Sequence, residues 1–305
     1  MNELTSPVLV VGATGKQGGA AARSLLGAGF PVRALVRDRA AERARAVEAL
    51  GAELVVGDLR DRESLDEAAR GARAVFSLQM PELGADGFDF DGELRQAVNL
   101  IEAARSAGVP QFVHSSVSGA SRYQSAPGYA EGRWAALEPY YAAKTGVEKS
   151  VREAGFPFWT LVKPGFFMEN FLLSAAYLLP RGVGGGIVTV LRPDTRLSLV
   201  AVDDIGATVA AAVADRERFR GVELELASDY LAMTEVAAVL SGALGAALKA
   251  PDMSEPEALA AGMPAYAGLS MELMNVAGQP ARPEFARALG IPLTSFEEWA
   301  ARHMR

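Results

Sequence analysis

Residues 8–19 read Val-Leu-Val-Val-Gly-Ala-Thr-Gly-Lys-Gln-Gly-Gly, and an alanine-rich stretch, residues 20–26, follows at once. This order predicts a buried strand, a glycine turn and a helix. The glycines would permit a tight turn, close approach of a pyrophosphate and close helix packing, while the helix N-terminus offers unpaired N–H groups to an anion. The same glycine spacing also simply joins strands to helices. The predicted phosphate-binding residues are Gly12, Thr14, Gly15, Lys16, Gln17 and Gly18.

The composition excludes several kinds of chemistry. The chain has 305 residues, a net charge of −7, no cysteine and two histidines, His114 and His303. Disulfides, thiolate zinc sites and thiol catalysis are therefore excluded, and we expect no metal site. An acidic chain without a basic stripe does not favour nucleic acid as a partner. We expect a small-molecule substrate instead, and a monomer or a homodimer.

No stretch of the sequence has the pattern of a signal peptide or a membrane span. Residues 1–7 lack a basic region followed by an apolar core. The longest apolar helix candidate, residues 166–179, contains Glu169 and Asn170 and is too short to cross a bilayer. The sequence therefore predicts a cytoplasmic protein without a membrane contact.

Short apolar segments alternate with helical segments from residue 8 to residue 163. Such alternation is typical of parallel strands buried between two layers of helices. With a glycine turn after the first strand, the predicted fold class is α/β, a doubly wound parallel nucleotide-binding sheet. Ligands in such sheets lie beyond the carboxyl ends of the strands. The residues that directly follow each strand are therefore the candidates for a site.

The alternation ends after Pro164. Residues 187–191 and 197–202 have the pattern of short strands, and residues 117–138 form the longest irregular stretch, a candidate lid. We predict a dinucleotide-binding domain over residues 1–163, to which residues 196–226 return. A smaller, mostly helical substrate domain would occupy residues 164–305.

Three strand ends carry candidate cofactor contacts. Arg37 follows the second strand, where an arginine favours the 2′-phosphate of NADP over the hydroxyl of NAD, and Lys16 could add charge. The alternative for both is a solvated surface charge, with Asp38 as a helix N-cap. Asp58 and Leu59 follow the third strand, near the expected adenine, although Asp58 could instead cap a helix. Gln79, after the fourth strand, lies along the expected cofactor or in a surface loop.

The next strand and helix carry the candidate catalytic groups. Ser115 and Ser116 end the fifth strand, and Tyr140 and Lys144 lie one turn apart on one face of the following helix. A nearby ammonium lowers the pKa of a phenol and makes it a usable proton donor, while a serine can polarise the same carbonyl. Tyr-x-x-x-Lys pairs also occur by chance on helices, and Tyr141 is an alternative phenol. For His114 a structural role at a strand end is favoured.

Several segments together resemble the NmrA-like family of atypical short-chain dehydrogenase/reductases. The segments are Gly-Ala-Thr-Gly-Lys-Gln-Gly (12–18), Val-Arg-Ala-Leu-Val-Arg-Asp (32–38), Val-Val-Gly-Asp-Leu (55–59), Gln-Ala-Val-Asn (96–99), Phe-Val-His-Ser-Ser (112–116), the helix with Lys144 and Pro-Gly-Phe-Phe-Met-Glu-Asn (164–170). The resemblance extends to about residue 245. It implies a Rossmann domain that binds NADP(H) and a small C-terminal domain over the nicotinamide.

The resemblance also implies roles for the segment after the sixth strand. Pro164 and Phe166 would contact the cofactor, and Phe167, Met168 and Phe171 would line the substrate side, although such an apolar stripe is also typical of a core. The family includes reductases of quinones and other small electrophiles, and redox sensors that act through a protein partner. Because Tyr140 and Lys144 are both present, we favour an NADP(H)-dependent oxidoreductase. The alternatives are a non-catalytic NADP(H) sensor and a scaffold without cofactor.

Overall fold

The computed structural model describes residues 6–85 and 87–304. Residues 1–5, part of the stretch considered above for a signal peptide, lie outside the described residues. Two compact units can be distinguished. The first comprises the chain up to Ala120, Pro139–Lys163 and Val202–Leu224, and the second comprises Ser121–Glu138, Pro164–Ala201 and Glu225–Arg305.

A seven-stranded sheet forms the centre of the first unit. Its strands are β1 (Val8–Val10), β2 (Val32–Val36), β3 (Glu53–Val56), β4 (Ala74–Ser77), β7 (Gln111–Ser115), β8 (Phe158–Pro164) and β11 (Val222–Leu226). Their order across the sheet is β11-β8-β7-β4-β1-β2-β3, and from β3 to β8 the neighbouring strands run parallel. Successive strands extend outward from β1 in one direction and from β4 in the other, which is the doubly wound topology predicted from the sequence.

Helices cover the sheet because its strands are apolar on both faces. The helices of this unit are α1 (Lys16–Gly27), α2 (Glu42–Ala49), α3 (Arg62–Ala69), α4 (Phe90–Ser106), α5 (Glu138–Glu153) and α6 (Val202–Ala214). On one face α3, α4 and α5 bury Leu65, Leu100 and Val147 against strand residues such as Val75. Elsewhere α1 and α6 cross closely, and a Cβ atom on Gly206 would lie 2.5 Å from the carbonyl oxygen of Ala20.

A short hairpin between β4 and α4 was not predicted. Its strands are β5 (Glu82–Gly84) and β6 (Gly87–Asp89), which pair antiparallel, and residue 86 between them lies outside the described residues. Leu83 is 74% exposed and Met80 is 71% exposed. The hairpin has no buried face of its own, and so its sequence lacks the apolar alternation that identifies a strand.

The second unit combines a three-stranded sheet with helices around its own apolar core. The strand β10 (Arg196–Val200) pairs antiparallel with β12 (Asp229–Ala232) and parallel with β9 (Phe166–Phe167). The core includes Phe171, Leu199, Leu240 and Trp299. Its helices are α7 (Met233–Leu244), α8 (Glu255–Ala261), α9 (Gly268–Ala277), α10 (Pro283–Ala288) and α11 (Phe296–His303).

Two predictions for the later part of the chain were wrong. Residues 166–179 do not form a helix but begin with β9, because Phe166 pairs with Leu199, and continue in two 3-10 turns. Residues 187–191 are buried but do not form a strand, since Val188 donates to the Leu178 carbonyl and Leu191 to the Thr189 hydroxyl. The return of residues 196–226 to the first domain stays a prediction: Val202–Leu224 belongs to the first unit, whereas β10 pairs within the sheet of the second.

No helix within the described residues is long and apolar enough to cross a membrane.

Candidate active site

The glycine loop after β1 has the geometry of a phosphate cradle. Gly12 has a φ of +70°, and its carbonyl accepts the Gly15 N–H at 2.8 Å. A Cβ atom at Gly18 would lie 2.2 Å from that same carbonyl oxygen, so only glycine lets α1 approach the strand this closely. No side chain caps the N-terminus of α1 at Gly15. The first N–H groups of α1 therefore remain available to an anion.

Exposed cations lie on the loop and after β2. Thr14, Gly15 and Lys16 are exposed, as is Arg37. Asp38 accepts the Ala40 N–H at 2.7 Å and is not the N-cap of α2, which begins at Glu42. The arrangement leaves Lys16 and Arg37 accessible to an anionic group.

The segment after β3 forms a local turn. The Asp58 carboxylate accepts the Arg60 N–H at 2.8 Å, and the Leu59 carbonyl accepts the Asn99 side-chain N–H at 2.9 Å. The N-cap of α3 is Asp61, so the alternative role of Asp58 as a helix cap is wrong. The Asp58 and Leu59 backbone is held between β3 and α4, at the edge where the carboxyl ends of the strands meet. Their contact with an adenine stays a prediction.

The two serines at the end of β7 have different partners. The Ser115 hydroxyl donates to the Gln17 side-chain oxygen at 2.8 Å. This hydrogen bond joins the end of β7 to the glycine loop. The Ser116 hydroxyl donates to Glu148 on α5 at 2.7 Å. The structure thus brings the predicted residues Ser115 and Gln17 together.

A second buried group contains Gln79 and His114. Both side chains contact the Ser77 hydroxyl, Gln79 at 3.2 Å and His114 Nδ1 at 3.2 Å. Burial, and then the charge of Lys144, lower the pKa of His114 to about 3, so the imidazole is neutral at physiological pH. Its Nε2 has no partner within the described part of the chain.

Tyr140 and Lys144 lie together on α5, as predicted, and with them lies Glu93, which was not predicted. The Lys144 ammonium forms an ion pair with Glu93 in the first turn of α4. It also lies 5.5 Å from the centre of the Tyr140 ring, and that ring packs edge-to-face on Phe90 at 5.8 Å between centroids.

The electrostatics of this cluster correct one expectation. The sequence predicted that Lys144 lowers the pKa of Tyr140. Burial, together with the charge of Glu93, instead raises the pKa of the Tyr140 phenol. Burial also raises the pKa of Glu93, and the ion pair with Lys144 only opposes that effect. Tyr140 is therefore a protonated phenol at physiological pH.

A buried ion network lies further along α5. The Glu148 carboxylate accepts hydrogen bonds from Ser116 and, at 2.9 Å each, from Lys163 on β8 and Arg152. Glu223 on β11 pairs with Lys163 at 2.7 Å and with Arg152 at 2.6 Å. Hydrogen bonds from Arg152 in the first place, and from Lys163, lower the pKa of Glu223 to about 2. The network holds Ser116 at the end of β7.

Glu93 and the charged members of the ion network were not predicted from the sequence. Those members are Glu148, Arg152, Lys163 and Glu223. One signal was present, because Tyr140, Lys144, Glu148 and Arg152 recur at intervals of four and so share one face of α5. No comparable pattern marks Glu93, which is 51 positions from Lys144.

The predicted contacts after β8 belong to the second unit. Pro164 ends β8, and Phe166 packs on Phe171 at 6.0 Å between ring centroids. Met168 and Phe171 are fully buried within the core of that unit, and Phe167 is half-buried. Their roles toward a cofactor or a substrate stay predictions.

The sheet order and the glycine cradle place this chain in the doubly wound, Rossmann-like class of α/β proteins. The NmrA-like family profile matches residues 4–283, and the chain belongs to the NmrA-like family.

One relative and two solved structures are similar over almost the full length. The NAD(P)H azoreductase of Xenophilus azovorans is 31% identical, over 92% of this chain and 97% of that protein. The fold matches the NADPH-dependent quinone oxidoreductase of Escherichia coli, solved with NADPH, with a TM-score of 0.76, 23% identity and coverage of 98% and 100%. It also matches the triphenylmethane reductase of Citrobacter sp., solved with NADP(H), with a TM-score of 0.78, 19% identity and coverage of 97% and 99%.

Proposed function

We propose that this protein is an NADP(H)-dependent reductase of a small carbonyl, quinone or similar electrophile. The observation that carries the proposal is the similarity over almost the full length to an NAD(P)H azoreductase, in a chain that retains the complete glycine cradle. The azoreductase and the two reductases of similar fold act on different electrophiles. We therefore infer the reaction type and leave the substrate to experiment.

The residues of the first unit fit a dinucleotide. The cradle at Gly18 has no room for a side chain, and the uncapped start of α1 provides N–H donors for a pyrophosphate. Arg37 and Lys16 are exposed cations that suit a 2′-phosphate. Asp58 and Leu59 would adjoin the adenine, while Gln79 and Ser116 are proposed to contact the rest of the dinucleotide. The roles of Pro164 and Phe166, which belong to the second unit, are implied by the family resemblance alone.

When bound by these residues, NADPH would supply the hydride for the reduction. The protein's part is to orient the reactants and to donate or hold a proton. Tyr140 is protonated and can donate a hydrogen bond from its hydroxyl to a carbonyl oxygen. Lys144 places a positive charge beside that ring. Ser115 is the second candidate hydrogen-bond donor, and its single hydroxyl proton, donated to Gln17 in this structure, would have to turn to the substrate.

The test is a screen of NADPH and NADH oxidation by the purified protein. Quinones, aldehydes, azo dyes and triphenylmethane dyes are supplied in turn, and dinucleotide binding is titrated separately. We expect NADPH binding and turnover of at least one class of electrophile. If the protein binds NADPH but none of the acceptors leads to NADPH oxidation, the result would contradict the reductase and favour the sensor alternative. Failure to bind either dinucleotide would contradict both.

A further inference from the structure

Glu93 has no role in the function proposed above, yet it contacts that site directly. Its side chain is only 2% exposed, and one carboxylate oxygen receives the Lys144 ammonium. The other oxygen, Oε2, is buried without a hydrogen-bond partner in residues 6–85 and 87–304. A buried carboxylate is costly unless it is paired, so Lys144 is what makes the position of Glu93 tolerable.

The ion pair determines where the Lys144 charge lies. The ammonium is held by Glu93 from α4 on one side, and it lies 5.5 Å from the centre of the Tyr140 ring. Phe90, also on α4, packs against the same ring. One turn of α4 therefore positions both members of the Tyr-x-x-x-Lys pair.

The charged and titratable groups around the phenol come from three elements. They are Glu93 on α4, Lys144 and Tyr141 on α5, and His114 on β7, which the charge of Lys144 affects. Because His114 is neutral, the carboxylate and the ammonium are the two charges of this cluster. They compensate each other in part, and burial in the first place, followed by the charge of Glu93, raises the pKa of the phenol.

We propose that Glu93 is a positioning residue of this site, which holds the Lys144 ammonium beside the Tyr140 ring and so sets the charge that the phenol experiences. The inference rests on the proposed function only for the roles of Tyr140 and Lys144. The presence of Glu93 makes this site different from one that contains only a tyrosine and a lysine, in which the lysine charge acts on the phenol without a counter-ion.

The test measures the ionisation of Tyr140 in the protein without dinucleotide. A single 3-fluorotyrosine at position 140 lowers the intrinsic pKa of the phenol and gives one fluorine resonance, whose midpoint is followed against pH. In Glu93→Gln the carboxylate charge is lost while the side-chain shape is kept. We expect the midpoint to fall by roughly one pH unit or more, the size typical of one nearby charge. An unchanged midpoint would overturn the proposal.

Glu148→Gln is the matched control, because Glu148 is also a buried carboxylate that forms an ion pair with a lysine, and it lies on α5 itself. It lies two turns from Tyr140, and we expect the variant to lose stability while the midpoint stays within experimental error. An equal shift in Glu148→Gln would mean that loosening α5, rather than the charge of Glu93, moves the phenol. Glu93→Asp, which keeps the charge, should retain most of the parental midpoint, and a shift as large as that of Glu93→Gln would contradict the charge effect.

A second measurement needs no change at Glu93. In protein labelled with ¹⁵N-lysine, a buried ammonium held by a carboxylate exchanges its protons slowly with water. We expect two slowly exchanging ammonium signals, because Lys163 is also buried between carboxylates, and one of the two should be lost in Lys144→Ala. A parent spectrum without the Lys144 signal would overturn the proposal. Both measurements are made without cofactor or substrate. They can therefore fail while NADPH binding and turnover succeed, and the reverse holds equally.

Discussion

At the scale of single residues, exposure separates the groups that could meet a cofactor from those that support the site. Arg37 and Lys16 are exposed, whereas Lys144, Glu93 and His114 are buried. An exposed arginine can be replaced without cost to the fold, so its variant reports on ligand binding alone. A buried ionic group reports on stability as well, because its partner is left without a counter-charge.

Arg37→Ala should remove most of the preference for NADPH over NADH. The guanidinium would otherwise make charge-assisted hydrogen bonds to the 2′-phosphate, which contribute on the order of 1–3 kcal/mol. Titration of parent and variant with both dinucleotides measures the difference, and NADH affinity, which involves no such phosphate, is the internal control. Equal affinity of the parent for the two dinucleotides would contradict the assignment of Arg37.

Tyr140→Phe and Lys144→Ala should differ in their effects on turnover. Tyr140→Phe removes only the hydroxyl, and loss of a positioned general acid should lower kcat by about 10²–10⁴-fold with little change in NADPH affinity. Lys144→Ala should lower both the turnover rate and the affinity for NADPH. It should also destabilise the fold, because Glu93 loses its ion-pair partner. With a quinone, whose anion water can protonate, Tyr140→Phe should matter little. Parental rates in both variants would show that this face of α5 is not catalytic.

At the scale of elements, close backbone approach positions the glycine loop, and ion pairs join α5 to β8 and to the edge strand β11. The carbonyl of Gly12 occupies the space where a side chain of α1 would begin at Gly18. Lys163 of β8 lies between Glu148 of α5 and Glu223 of β11. The two features predict different consequences of substitution.

Gly18→Ala and Gly27→Ala lie on the same helix and should have opposite effects. At Gly18 the new Cβ would lie 2.2 Å from a backbone oxygen, so the start of α1 must move, at a cost of about 3 kcal/mol or more. At Gly27 nothing lies within 4 Å, and alanine should be neutral or stabilise by up to about 1 kcal/mol. Urea unfolding and NADPH titration test both. A Gly18→Ala variant with parental stability and affinity would contradict the cradle.

Glu148→Gln should lower the free energy of unfolding by about 1–3 kcal/mol, because Lys163 and Arg152 each lose a charged hydrogen-bond acceptor while both keep Glu223 as a counter-charge. Glu67→Gln, an exposed position on α3, is the control and should stay within about 0.5 kcal/mol of the parent. Replacing Glu148 and Lys163 together by methionine should cost less than the sum of the single changes. Additive losses, measured by urea unfolding, would show that the pair is not coupled.

At the scale of the whole molecule, the buried neutral histidine predicts how stability depends on pH. The pKa of His114 is about 3 in the folded chain against 6.5 for a free side chain. Between these values the unfolded chain binds a proton that the folded chain does not, so stability falls as pH falls below 6.5. The slope from one such group is about 1.4 kcal/mol per pH unit.

His114→Asn should therefore remove a loss of about 2–3 kcal/mol between pH 6.5 and 4.5. The measured quantity is the difference between variant and parent, because the raised pKa of Glu93 acts in the opposite direction in both. Below pH 4.5, protonation of Glu223, with its lowered pKa, adds a further loss to both proteins. His303→Asn, at an exposed position, is the control. A pH dependence that is the same in His114→Asn and the parent would contradict burial of a neutral imidazole.

The sequence by itself determined the fold of the first unit and the positions along the chain at which a site could form. Apolar strands, helices and a glycine turn recur in order, and the carboxyl ends of parallel strands meet at one edge of a sheet. Because Gly12, Arg37, Asp58 and Ser115 come at the carboxyl ends of four parallel strands, β1, β2, β3 and β7, they lie at that edge. The i, i+4 spacing was likewise enough to bring Tyr140 and Lys144 together.

Only the tertiary structure decided how the charges at this site are paired and which sheet the later segments join. Lys144 meets Glu93 across 51 positions of sequence, and Lys163 meets Glu223 across 60. The apolar segment from Phe166 has the composition of a helix but pairs with β10. Local patterns report which residues are buried, whereas the partner of a buried group depends on how distant elements pack. Burial in the first place, and then the charge of Glu93, a partner distant in sequence, raises the pKa of Tyr140.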